Sequence, residues 1–153
     1  MTVSTGAAID RSIYPMPMFA SFLVRDLEVS EKFYHQIGFI TLASIPGPTG
    51  IQLIHLRREK YQDVLLAQGD AVSGSTTVSF AAGAEDLAVR AAALAGTADF
   101  AGTVDGPKDT AWFSTDLTIT DPDGNRIVLT APRAADHAAA ADWLESANGE
   151  FRS

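Results

Sequence analysis

The chain has 153 residues, 46% of them hydrophobic and 20% charged, and carries 11 Lys and Arg against 19 Asp and Glu for a net charge of −8. That length supports one domain, or two small halves around one core. The absence of Cys excludes a disulfide framework, a thiolate zinc site and a cysteine nucleophile. The acidic balance argues against a binder of phosphate backbones, so no nucleic-acid partner is expected. No apolar run approaches the roughly 20 residues of a membrane-spanning helix, and the N-terminus lacks the basic-then-apolar layout of a signal peptide. The expectation is a soluble, cytoplasmic protein with no membrane partner, holding or acting on something small.

Residues 1–16 read as a loose arm, stiffened near its end by Tyr14-Pro15-Met16-Pro17. Met18 to Arg25 suits a strand, with Ala20, Phe22 and Val24 alternating against Phe19, Ser21 and Leu23. Asp26 reads as a helix N-cap, and Leu27, Ser30, Phe33, Tyr34 and Ile37 make the apolar stripe of the helix that follows. Gly38 suits its exit. Three strands come next: Phe39 to Ser44, stopping at Pro46-Gly47-Pro48, then Gly50 to Arg57 and Tyr61 to Gln68 across the charged turn Arg57-Arg58-Glu59-Lys60.

The second half repeats this order. Thr76 to Ala82 reads as a strand, Ala84 to Ala95 as a helix ended by Gly96, and Ala98 to Val104 as a short strand. Asp105-Gly106-Pro107-Lys108-Asp109 reads as a turn. Ala111 to Thr120 and Asn125 to Ala131 form a hairpin across Asp121-Pro122-Asp123-Gly124. An offset of 58 superposes Ala20, Phe22 and Val24 on Val78, Phe80 and Ala82, so the chain reads as two copies of one unit of about 60 residues. Residues 17–70 and 74–132 are the two modules. Residues 133–153 form a C-terminal helix and tail, the helix spanning Ala134 to Ala147 with Trp143 and Leu144.

Two segments carry a family resemblance. Val24-Arg25-Asp26-Leu27, followed by Ser30, Phe33-Tyr34 and Gly38-Phe39, resembles the opening of vicinal-oxygen-chelate proteins. Asp121-Pro122-Asp123-Gly124-Asn125-Arg126-Ile127-Val128-Leu129, with Trp112 upstream, resembles their ending. That group includes glyoxalase I, extradiol dioxygenases and bleomycin-resistance proteins. The resemblance spans about Pro17 to Pro132 and implies an α+β fold. Two tandem βαβββ modules would form a curved, partly open barrel-like sheet with helices outside, followed here by the C-terminal helix.

Enzymes of this group hold one divalent cation with His and Glu from four strand positions. Those positions fall on Phe19, Leu65, Thr77 and Val128, which ligate a cation poorly, so neither a metal nor another cofactor nor a catalytic residue is expected. The concave face is expected to hold a ligand instead. Alternation of the strands sends Phe19, Ser21, Leu65, Thr77, Trp112, Asp116, Arg126 and Val128 to it, together with His55 and Asp63 as cross-strand neighbours. A His55–Asp63 pair there reads as a ligand contact or acid/base couple, or as an imidazole satisfied in a partly wet cavity. Trp112 reads either as a stacking platform or as packing at a module or dimer seam. His35 and His137 read as solvated.

The branch of bleomycin-resistance proteins implies a homodimer that sequesters an antibiotic or another small organic ligand. A metal-dependent lyase, isomerase or ring-cleaving dioxygenase remains open beside it, as does a regulatory or interaction module without small-molecule chemistry.

Overall fold

A computed structural model describes residues 9–12, 16, 18–70 and 76–148. Tyr14, Pro15 and Pro17, most of the arm before them, the tail after the last helix and the Leu144 side chain lie outside the described residues. The elements run β1 (Phe19–Val24), α1 (Leu27–Gln36), β2 (Ile40–Gly47), β3 (Gly50–Arg58), β4 (Gln62–Gln68), β5 (Thr77–Ala81), α2 (Leu87–Ala95), β6 (Thr103–Asp109), β7 (Ser114–Thr120), β8 (Arg126–Pro132) and α3 (His137–Asn148), with a short 3-10 turn at Ala134–Asp136 before α3.

The doubled plan is visible in the sheets. Strand order is β1-β4-β3-β2 in the first and β5-β8-β7-β6 in the second. In each, the opening strand runs parallel to the last, and the remaining neighbours are antiparallel. Each helix carries the chain to the far edge of its sheet, from which two hairpins return it to the opening strand. Both helices start on an aspartate: Asp26 Oδ1 accepts from Val29 N at 3.1 Å, and Asp86 Oδ1 from Ala88 N and Val89 N at 3.0 and 3.1 Å. These bonds satisfy amides that the first helical turn leaves unpaired.

One face of each sheet packs inward. Phe22, Val24, Val64, Leu66, Ile54 and Leu56 meet Leu27, Phe33, Tyr34 and Ile37 of the first helix side, and Leu117, Ile119, Ile127 and Leu129 meet Leu87 and Leu94 of the second. These residues form one cluster, and four aromatic contacts centre on Phe33 and Phe39: Phe33 on Phe100, Phe33 on Tyr34, Phe39 on Tyr34 and Phe39 on Phe80. Gly102 allows the closest approach, because a Cβ there would overlap the Thr120 carbonyl oxygen and the Phe33 ring.

The Asp-Pro-Asp-Gly-Asn turn that resembles the family also fastens the modules together. Asp121 Oδ1 accepts from the Asp123 and Asn125 amides, both at 2.9 Å, and Oδ2 accepts from Tyr34 OH at 2.8 Å. Asn125 Nδ2 donates to Leu23 O, and Arg25 Nε to Asp123 Oδ1 at 2.8 Å. Burial and the Asp121 charge push the Tyr34 phenol far above its ordinary range.

Several boundaries differ from those read in the sequence. β6 lies at Thr103–Asp109, so the segment read as a turn is an edge strand and the one read as a strand is mostly turn and coil. An edge strand has one unpaired side and so tolerates Gly106 and Pro107. β2 continues through Pro46 and Gly47, also at an edge. Arg58 as well as Arg57 belongs to β3, so the strand runs one residue further into the charged turn than the sequence suggests, and both arginines are fully buried. α2 begins at Leu87 because Asp86 caps it. β7 begins at Ser114, leaving Trp112 in the preceding turn.

Candidate functional site

The outward faces of the two sheets form one surface. Gln62 Nε2 at the start of β4 donates to Ala81 O at the end of β5, while Asn125 before β8 reaches Leu23 at the end of β1. β1 and β5 therefore lie edge to edge and run in opposite directions, at the middle of an open, curved surface. Alternation then sets what faces outward: Phe19, Ser21 and Leu23 from β1, Thr77, Ser79 and Ala81 from β5, and the matching residues of β4, β3, β8 and β7.

On the first sheet this face is charged and closed. Arg57 pairs with Asp63 across the strands, Nε to Oδ1 at 2.6 Å and Nη2 to Oδ2 at 2.8 Å. His55 Nε2 lies 2.7 Å from Asp63 Oδ2. His55 itself pairs with Leu65, so it meets Asp63 diagonally rather than directly across. Exposure is 3% for His55 and 0% for Asp63 and Arg57, so the pair is buried rather than partly wet. Asp63 is the shared acceptor, which makes His55 Nε2 the donor. The carboxylate of Asp63 raises the Arg57 guanidinium above its ordinary range.

Arg57 also holds the N-terminal arm. Its Nη1 donates to Asp10 O at 2.7 Å and Ser12 O at 2.8 Å, and Tyr61 OH donates to Asp10 Oδ2 at 3.1 Å. On the opposite face of the strand, Arg58 points into the junction. It donates to Ala81 O and Ala82 O at 3.1 and 2.8 Å and faces Glu85, which Arg90 also holds through Nε at 2.9 Å. Burial lowers the Arg58 guanidinium pKa, with Glu85 and Glu59 acting against that shift. Strand alternation was the available signal for both arginines: neighbours in a strand must face opposite sides.

On the second sheet the face is lined by hydroxyls. Thr118 pairs with Val128 and Thr120 with Arg126, while Thr77 and Ser79 pair with Arg126 and Val128 from the other side. Asp116, opposite Thr130, accepts from Ser114 Oγ at 3.1 Å. Ile119 and Ile127 pair toward the core, as the sequence predicts. Trp112 is 61% exposed in its turn, at the edge of a cavity of about 470 Å3 whose other side is α3. His35 and His137 are both exposed, and His35 Nε2 lies 2.7 Å from Thr41 Oγ1.

Phe19, Leu65, Thr77 and Val128, the positions that the family resemblance marks for a cation, lie on this surface. A lone hydroxyl among three hydrocarbons does not fit a divalent ion. The nearby His55 and Asp63 do not compensate, because the Arg57 guanidinium occupies both carboxylate oxygens with positive charge. Among the described residues no group of three or more His, Cys, Asp or Glu is placed to hold a metal ion. No described helix is long and apolar enough to cross a membrane.

No family profile matches the chain and no curated protein matches it. Solved structures do. A glyoxalase/bleomycin resistance protein from Streptomyces sp. CB03234 is 31% identical, with a TM-score of 0.53 over 72% of this chain and 96% of that one. TnmS3, an antibiotic-binding protein from Streptomyces sp. CB03234, is also 31% identical, with a TM-score of 0.56 over 74% and 93%. A bleomycin-binding protein solved with bleomycin shares the fold at 17% identity and a TM-score of 0.56, over 74% and 96%. With two modules of this topology, an open face between them and 31% identity over nearly the whole of two such proteins, the chain belongs to the vicinal-oxygen-chelate superfamily, in its glyoxalase/bleomycin-resistance branch.

Proposed function

We propose that this protein binds a small organic ligand, an antibiotic or a similarly aromatic and polar molecule, on its open face and releases it unchanged. The observation that carries the reading is the surface itself. Phe19 and Leu23 stand about half exposed (55% and 48%) beside Ser21, Thr77 and Ser79 at the centre of the molecule. Exposed apolar area ringed by hydroxyls is how sites for organic ligands are built, with hydrocarbon for affinity and a few polar groups for orientation. The likeness to an antibiotic-binding protein supports it. The poor fit of a cation at Phe19, Leu65, Thr77 and Val128 supports holding over turnover. On this reading Asp116 and Arg126 supply polar orientation, while His55 and Asp63, buried against Arg57, brace the surface from beneath. The protein works as a cytoplasmic homodimer, sequestering its ligand.

Titration with bleomycin and a panel of aromatic antibiotics, read by tryptophan fluorescence and calorimetry, tests the reading. At least one compound is expected to give saturable binding, and elemental analysis to find no stoichiometric Ni, Zn, Mn or Fe. A flat response across the panel overturns it. So does a stoichiometric metal with turnover that a chelator abolishes.

A further inference from the structure

The described part of the N-terminal arm, residues 9–12, is held in the way a bound ligand is held. Arg57 on β3 donates through Nη1 to two of its backbone carbonyls, Asp10 O at 2.7 Å and Ser12 O at 2.8 Å. Asp10 Oδ1 accepts from Ser12 N at 2.8 Å, an Asx-type bond that curls the segment and brings carbonyls two residues apart onto one nitrogen. Through Oδ2 the same carboxylate accepts from Tyr61 OH at 3.1 Å. Ile9 and Asp10 are half-buried, whereas Arg11 and Ser12 are exposed.

The groups that hold this segment are fixed independently of it. Tyr61 closes the β3–β4 turn at φ 63°, a left-handed conformation that a bulky residue keeps only where its surroundings impose it. That conformation sets its ring 5.3 Å from the Arg57 guanidinium and its hydroxyl against the arm. Arg57 is fully buried, in register with Asp63 and through it with Phe19, and Asp63 takes its Nε and Nη2 at 2.6 and 2.8 Å. The matching position of the second sheet is Thr120, which has no comparable fork of donors.

Charge selects the ligand class. Asp63 already balances the guanidinium, so the donors on Nη1 call for neutral oxygens, and amide carbonyls are such acceptors. A buried donor stripped of its acceptor is costly, so the arm yields most readily to a molecule that returns carbonyls to Arg57. We infer that Arg57 and Tyr61 form a receptor for a short peptide, that residues 9–12 occupy it as an internal ligand, and that a peptide with two carbonyls and a carboxylate at the same spacing displaces them. The receptor is separate from the hydroxyl-lined centre of the open face and does not depend on the ligand proposed there: a flat antibiotic response leaves it standing.

The probe is acetyl-Ile-Asp-Ala-Ser-amide, with acetyl-Ile-Ala-Ala-Ser-amide as the control that lacks the carboxylate. Release of the arm is read in the full chain by mass spectrometry of trypsin cleavage after Arg11, and circular dichroism verifies that each variant stays folded. Tyr61→Phe, which leaves the cleaved segment untouched, should speed that cleavage about fivefold by removing one hydrogen bond from the arm. Tethering gives the arm a high effective concentration, so the probe is titrated by calorimetry into Asp10→Ala, whose arm is weakened and whose receptor is intact. There the probe is expected to bind saturably, about tenfold tighter than the control, and to speed cleavage of the arm. The preference for the carboxylate should vanish when Tyr61→Phe is added. Unchanged cleavage in folded Tyr61→Phe, no binding of the probe, or binding that leaves the cleavage rate as it was overturns the inference. A cleavage rate that varies with protein concentration assigns the receptor to the arm of a second copy and overturns the internal ligand.

Discussion

The two outward faces share one backbone plan and are built in opposite ways. By sheet position, Phe19, Asp63 and Arg57 of the first correspond to Thr77, Arg126 and Thr120 of the second, and Ser21, Leu65 and His55 correspond to Ser79, Val128 and Thr118. Where the first face buries an arginine, a carboxylate and an imidazole in one network, the second carries threonines and an exposed arginine. Removing charges from water is tolerable only when each is paired and hydrogen-bonded. The first network meets that condition among its own members and through the Asp10 and Ser12 carbonyls, and in doing so it occupies its half of the surface. The second face needs no such closure, and its Thr77 and Ser79 stay exposed. The two halves supply equivalent scaffolds, and side-chain chemistry seals one face and leaves the other exposed.

The largest expected effect breaks this comparison directly. Asp63→Ala strands Arg57 and His55 without their shared acceptor and should cost roughly 3 kcal/mol in denaturant unfolding. Its counterpart Arg126→Ala, on an exposed side chain, should change stability by no more than about 0.5 kcal/mol. Equal losses would mean the two faces are not the opposites described.

A smaller effect concerns the junction. Gly102→Ala forces a Cβ onto the Thr120 carbonyl and the Phe33 ring and should destabilise by about 1–3 kcal/mol. Gly96→Ala, whose Cβ would make only ordinary contacts, should be close to neutral in the same thermal melts.

Smallest is Tyr34→Phe, which removes a buried hydroxyl from Asp121 and should cost about 1 kcal/mol near neutral pH. Because the folded phenol titrates above its unfolded value of about 10, its contribution is complete below that pH and is lost as pH rises beyond it. Stability measured between neutral and strongly alkaline pH should therefore fall less steeply in the variant. An identical alkaline slope would remove Tyr34 from the pH dependence.

Much of this was legible in the sequence, for local reasons. Asp26 and the stripe Leu27, Ser30, Phe33, Tyr34 mark a capped, one-sided helix, and Ile119 and Ile127 flank a turn whose composition dictates a hairpin. The boundaries that moved lie where local chemistry is ambiguous. Asp105-Gly106-Pro107-Lys108-Asp109 has the composition of a turn, yet an edge position makes it a strand. Arg57 and Arg58 look solvent-bound as a charged pair. Asp63 lies within reach of a hairpin pattern, but Asp10, Ala81, Ala82 and Glu85 lie at sequence distances no pattern reports. The cavity between Trp112 and α3 was illegible for the same reason: Trp112 was readable as an aromatic platform, but not the helix on the far side.

The amino-acid order alone determined the doubled strand–helix–three-strand plan and which side of each strand meets the core, because periodicity and capping act over a few residues. Tertiary structure decided which outward face is sealed and which is open. Pairing a buried charge and lining a cavity both need partners from distant segments, and only the folded chain brings those together.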